Sequence, residues 1–187
     1  MISALWLVCV LIKYKPKCPN NNPSNPPIVV ITNPSGAVIE RLAGSDRLER
    51  GAAFLIDYGF PEAEYYHPQR HMGTLVCHRA HRSDSDPLAD PGQKDITAHV
   101  NFTGIALAAQ DAGLEVLGYT SQGRFLLNCG LLELAQRADA RQNAMMQKLV
   151  NEHEMGELFK VLAFAPEASA GGWEPLGFAQ GDRTHTL

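Results

Sequence analysis

The sequence predicts an α/β layer fold, and two observations carry that expectation. Three short runs, Ala52–Ile56, Leu114–Thr120 and Leu158–Ala165, read as strands, and the first is continuously apolar, as expected of a strand covered by helices on both faces. Between them lie stretches whose apolar residues recur three and four apart, the spacing of a helix with one buried face. No internal repeat interrupts this alternation.

A chain of 187 residues, 45% hydrophobic and 19% charged, is long enough for one domain with a real core. Its net charge of -4 gives no basic surface for a phosphate backbone, so a nucleic-acid partner is not expected. Cys9, Cys18, Cys77 and Cys129 stand far apart with no CxxC pair, which fits a reducing cytoplasm.

In chain order, Ile2–Ile12 is apolar but too short to cross a bilayer, which takes ~20 residues of helix. Its lysines (Lys13, Lys15, Lys17) follow the apolar run, whereas a secretory signal has its basic residues first, and a membrane partner is not expected. Pro16–Pro27, rich in Pro, Asn and Ser, reads as a linker, so residues 1–27 form an extension and residues 28–187 the domain. Ile28–Ile31 is a short β-branched run, and Asn33 and Pro34 suit the cap and first position of a helix that ends by Gly51. Ala52–Ile56 then reads as a central parallel strand ending at Asp57, Tyr58 and Gly59.

From Phe60 to Gly92 the chain reads as a long loop with four prolines and four of the seven histidines, a substrate-side candidate. Asp95–Val100 suits a short strand, and Asn101 a cap for a helix carrying Ile105, Ala108, Ala109 and Ala112 on one face. Leu114–Thr120 is a strand, Gln122–Ala138 a helix that Gly123 and Gly130 weaken, and Asn143–His153 a further helix. Leu158–Ala165 is the last strand, and a Gly- and Pro-rich tail follows from Pro166.

Several unusual strings occur together and in order: LERGAAFLIDYGF, EYYHPQRHMGTL, DPLADPGQKDITAHVNF and GYTSQGRFLLNCGLL, followed by GELFKVLAFAP and PLGFAQGDRTHTL. Over Ile28–Leu187 the chain resembles the MidA-like methyltransferases, which include the mitochondrial complex I assembly factor that methylates a protein arginine, and its spelling is closest to bacterial members. The resemblance implies the C-terminal half of a Rossmann-like class I methyltransferase fold. Ala52–Ile56 would be its fifth strand, Leu114–Thr120 its sixth and Leu158–Ala165 its antiparallel seventh, lying between the other two. It also implies S-adenosyl-L-methionine (SAM) as cofactor and a protein side chain, arginine among the possibilities, as substrate.

The chain departs from the family in lacking the Gly-rich cofactor turn after the first strand, the acidic residue on the next strand, and the Asn-Glu-Phe-Phe-Asp-Ala type segment after the fourth strand. Asn101 stands where the family usually has Asp, and the stretch Cys77–His81 is shortened. The expectation is a truncated methyltransferase with its first four strands missing, inactive if it cannot hold the cofactor alone. Its fifth strand is then a bare edge, to be covered by the N-terminal apolar run or by association.

Asp57, Tyr58 and Gly59 are the first candidates for the cofactor or substrate crevice, because open α/β sheets bind ligands at the carboxyl ends of their strands. Tyr66, with Tyr65, and Thr74 come from the following segment; His78 and His81 offer imidazoles as proton acceptors, and Gln122 follows a strand. Each has a bland alternative: a strand-ending turn, aromatic packing, polar loop residues, a helix start. His67, His71, His78, His81 and Cys77 form only a loose set for zinc, and no metal is expected. Neither a Ser/His/Asp order, a GxxxxGK[ST] loop nor an HExxH helix occurs, so hydrolase and nucleotide-hydrolysis chemistry have no support. The alternative function is a noncatalytic interaction module using the exposed half-sheet or the His-rich loop.

Overall fold

The computed structural model describes residues 28–31 and 51–187, apart from positions 72, 80, 81, 85, 91, 172 and 173. The N-terminal apolar run, the linker and the helix expected after Asn33 lie outside these residues.

The main sheet is held by strands far apart in sequence. β1 (Ile28–Ile31) runs parallel to β2 (Ala52–Phe60), with Ile28 opposite Ala52 and Ile31 opposite Leu55. On its other edge β2 meets the antiparallel final strand, Phe159–Pro166, in a register from Ala53 opposite Phe164 to Tyr58 opposite Phe159. That final strand also pairs antiparallel with Leu114–Ser121, with an irregularity between Val116 and Gly118. The strand from the latest apolar run thus lies between the two earlier ones, in the order the resemblance implies.

The edge of β2 is not bare. Ile28–Ile31 pairs along it, so the expectation that the first four strands are missing fails at the position beside β2. Four consecutive β-branched residues suit a strand, and the pairing satisfies main-chain groups that would otherwise be left open.

The segment Phe60–Gly92 is more ordered than the loop expected of it. It holds a one-turn helix, α1 (Glu62–Tyr65), a 3-10 turn at Pro68–Arg70, and the strands β3 (Leu75–Arg79) and β4 (Arg82–Asp84). With β5 (Asp95–Ala98) these strands form a second sheet ordered β4-β3-β5. Its residues are largely exposed and Cys77 is the buried one on β3, so the segment lacks the apolar pattern by which a half-buried strand is recognised.

After His99, β6 (Val100–Asn101) pairs parallel with the end of β2, at Gly59 and Phe60. Asn101 then caps α2 (Phe102–Asp111), its side-chain oxygen accepting from Gly104 N at 3.1 Å. Following β7 (Leu114–Ser121), the single expected helix splits into α3 (Gln122–Asn128) and α4 (Leu131–Ala135). Gly130 breaks it at φ 89°, a left-handed conformation that glycine adopts without Cβ strain. α5 (Ala140–Val150) starts earlier than expected because Asp139 and Gln142 form a reciprocal capping box. α6 (Met155–Leu158) leads into β8 (Phe159–Pro166), and α7 (Glu167–Ala170) follows it.

Both faces of the main sheet are covered. One packs Phe54, Ile56, Val161 and Ala163 against Phe125, Leu126, Leu149 and Phe178. The rings of Phe54, Phe125 and Phe178 meet at centroid distances of 5.3 to 6.4 Å, and each such contact contributes about 0.5–1.5 kcal/mol beyond its area. The other face sets Leu55, Leu162 and Tyr119 against Val100, Phe102, Ile105 and Ala109. The last residues are strapped over this sheet: Thr120 Oγ1 donates to Gly181 O at 2.7 Å, and Tyr119 N to Asp182 Oδ1 at 2.9 Å.

Candidate active site

At the carboxyl end of β2 the chain turns through α1 and the 3-10 turn, and His99 closes in from between β5 and β6. Buried Asp57 accepts a hydrogen bond from Tyr58 N at 2.8 Å. The Tyr58 ring is edge-on to His99 and to Phe159, each at 5.5 Å between centroids. His99 stacks on Phe60 at 4.9 Å with 24° between planes, and the Arg70 guanidinium lies 3.8 Å from the Phe60 ring centroid. Arg70 is steadied by Nε, which donates to Glu64 O at 2.9 Å.

Gly59 permits this approach. A Cβ there would overlap the main chain of Val100 and touch the Phe102 ring, so a side chain would prevent β6 from pairing with β2. His99, immediately before Val100, is thereby held against Tyr58 and Phe60. Its Nδ1 is 3.1 Å from Thr74 O, and the Thr74 hydroxyl donates to Tyr65 OH at 3.4 Å. Glu62 N donates to Thr103 Oγ1 at 2.8 Å, tying α1 to α2.

The structure therefore gathers Tyr58, Gly59 and Thr74 around His99, and Asp57 adjoins them through its bond to Tyr58 N. Tyr66 touches the edge of the group through Tyr65, at 5.0 Å between rings, but is 69% exposed. His78 is exposed on β3, opposite Asp95 of β5 and Ser83 of β4. His81 lies outside the described residues. Gln122 is buried elsewhere, and its Nε2 donates to Leu149 O at 3.0 Å, joining α3 to the end of α5. Its surroundings are those of a core amide.

Sequence reasoning missed His99, Phe60 and Arg70. The signal available was local: His99 alone is polar and aromatic between two short strand segments, and it follows β5 where the chain must turn onto β2.

A second polar group lies at the start of β8. Lys160, although buried, reaches the Glu157 carboxylate at 3.3 Å and bonds the Glu157 main-chain oxygen. Burial alone would raise the Glu157 carboxyl, but the Arg183 guanidinium and Lys160 outweigh it and hold it below the ordinary range. Tyr119, on β7, has a buried hydroxyl with no partner among the described residues, and burial is the first cause pushing its pKa well up. An apolar recess of about 300 Å³ between α4 and α5, lined by Leu131, Leu134, Met145 and Met146 among others, shares no residue with the cluster around His99. No helix among the described residues is long and apolar enough to cross a membrane, and none of their His, Cys, Asp and Glu side chains group as a metal site.

A mixed sheet with a polar and aromatic cluster at a strand's carboxyl end is the arrangement in which α/β proteins hold ligands. Residues 13–120, more than half of the chain, match the family described as "Putative S-adenosyl-L-methionine-dependent methyltransferase", and the chain belongs to that family. It is 31% identical over 145 residues to the protein arginine methyltransferase NDUFAF7, mitochondrial, of Xenopus tropicalis, covering 72% of this chain and 32% of that protein. The human protein of the same name is 31% identical over 154 residues, covering 74% of this chain and 31% of that protein. Two crystal structures from Burkholderia thailandensis share the fold. One, of an uncharacterized protein, has a TM-score of 0.76 at 46% identity, over 83% of this chain and 43% of that one. The other, bound to S-adenosyl-homocysteine, has a TM-score of 0.74 at 48% identity, over 81% of this chain and 40% of that one. The chain spans about a third of the length of these curated relatives.

The described residues around the end of β2 supply packed rings and one buried carboxylate, not a glycine-rich cradle for a cofactor. Asp57 is 7% exposed with an oxygen bonded to Tyr58 N, so it does not stand out as a ribose-binding carboxylate, and the rings of Tyr58 and Phe60 pack with the imidazole of His99.

Proposed function

We propose that this chain carries the acceptor-facing part of a SAM-dependent methyltransferase of the MidA-like family, acting on a protein side chain, with arginine as the favoured acceptor. The observation that carries the reading is the cluster of Tyr58, Phe60, Thr74 and His99 at the carboxyl end of β2. The cofactor, when bound, supplies a methyl group on a positively charged sulfur. The chain's own residues have the remaining tasks: to orient the acceptor, to limit water around it and to receive its proton. Glu62 and Glu64 on α1 put negative charge beside the cluster, which favours a cationic acceptor; arginine is also what the curated relatives' name specifies.

The second reading is a noncatalytic interaction module. It draws on the outlying sheet, where Leu75, Ile96 and the nearby Leu88 are 41%, 50% and 83% exposed. Calorimetry with SAM separates the two. Saturable binding by the purified chain, followed by transfer of labelled methyl from SAM to a pool of arginine-containing peptides, is the expected result. A stably folded chain that neither binds SAM nor transfers methyl would favour the module.

A further inference from the structure

Imidazole has two nitrogens, and in its neutral form one donates and the other accepts. At His99 the assignment follows from the partner: Nδ1 is 3.1 Å from Thr74 O, and a carbonyl oxygen can only accept, so Nδ1 carries the hydrogen. Nε2 is left as the acceptor. It has no partner among the described residues, and His99 is half-buried.

The ring is also fixed. Phe60 stacks on it, Tyr58 meets it edge-on, and the Thr74 carbonyl sets its rotation. Thr74 is itself tied to Tyr65, just ahead of β3, so three separate segments hold the ring. Of the two imidazoles that the sequence offers as proton acceptors, His78 lies exposed on β3 without comparable packing, and His81 lies outside the described residues.

We infer that His99 is a catalytic residue whose Nε2 binds the N–H of the methyl acceptor and takes its proton during transfer. This rests on the methyltransferase reading and names the group that does its proton chemistry. As the acceptor nitrogen forms its bond to the methyl carbon, the carbon–sulfur bond breaks with its electron pair going to sulfur. The acceptor's proton passes to Nε2 and from there to solvent.

Two variants and one spectrum test it. His99→Asn keeps a donor near Nδ1 for the Thr74 carbonyl but deletes the atom at Nε2. His99→Gln places an amide near Nε2 that cannot take a proton. Nitrogen NMR of the unmodified chain, which depends on no variant folding, should show Nδ1 protonated and Nε2 bare in the neutral ring. Both variants should bind SAM within about twofold of the unmodified chain yet transfer methyl to arginine-containing peptides about 100-fold more slowly, the lower end of what general bases contribute. Predominant protonation at Nε2, or variants that transfer within about threefold of the unmodified chain, would overturn the assignment while leaving the functional reading in place. Failure of the unmodified chain to bind SAM or to transfer methyl is a separate result, seen before any variant is made, and removes both.

Discussion

Arg183 holds both carboxylate oxygens of Glu157, at 2.5 and 3.2 Å, and so fastens the last stretch of chain beside the beginning of β8. Glu157 is lowered below its ordinary value, so its contribution is present above the unfolded carboxyl pKa of about 4.3 and is lost as pH falls through the folded value. The Glu157 side chain is 39% exposed, and solvent screening limits the pair to about 1 kcal/mol. Glu157→Gln should therefore be less stable than the parent chain near pH 7, with a smaller gap at pH 3. Urea unfolding at the two pH values checks it; a gap independent of pH would show that the charge is not responsible.

Gly59 has room for no side chain. Gly59→Ala pushes a methyl group into the Val100 main chain and should cost about 1–3 kcal/mol, the usual range for overpacking. Thermal unfolding reads the loss, and the His99 ring signals should shift with it because Val100 is the next residue. An unaltered melting temperature would mean that β6 is not seated on β2.

Tyr119 carries a hydroxyl that nothing among the described residues bonds, in a residue with 0% exposure. Tyr119→Phe removes that group and keeps the ring against Phe102. Stability should be unchanged or higher by up to about 1 kcal/mol, because a buried polar group without a partner is a cost. A loss above about 1 kcal/mol in denaturant unfolding would reveal a partner for the hydroxyl.

Gln122 bonds the Leu149 carbonyl from a fully buried position. Gln122→Met keeps the approximate volume but leaves that carbonyl unpaired, at a cost of about 1–3 kcal/mol. SAM affinity, measured by calorimetry below the melting temperature, should stay within about twofold. A large loss of affinity with stability retained would return Gln122 to the ligand crevice.

The run Ala52–Ile56 announced β2 because that strand is buried on both faces, as β8 largely is, while β7 is partly exposed at Glu115–Leu117 and buried from Gly118 onward. Asn101 announced its helix because a cap is a local contact. Cys77–Arg79 gave no comparable sign, since an exposed outlying sheet needs no apolar alternation. Within the cluster, Asp57, Tyr58 and Gly59 were legible from their place at the end of an apolar run. The placement of His99 was not, because it rests on contacts with Thr74, 25 positions earlier, and with Phe60, and such pairs leave no spacing rule in one sequence.

β8 occupies the middle of the sheet but is made after both of its neighbours. On the ribosome, β2 and β7 would emerge with a vacant slot between them, and roughly a hundred residues of chain separate β2 from the strand that fills it. Assembly is therefore a late, clasp-like event, and a nascent polypeptide released before Phe159 would present two unjoined hydrophobic borders to chaperones or to other chains.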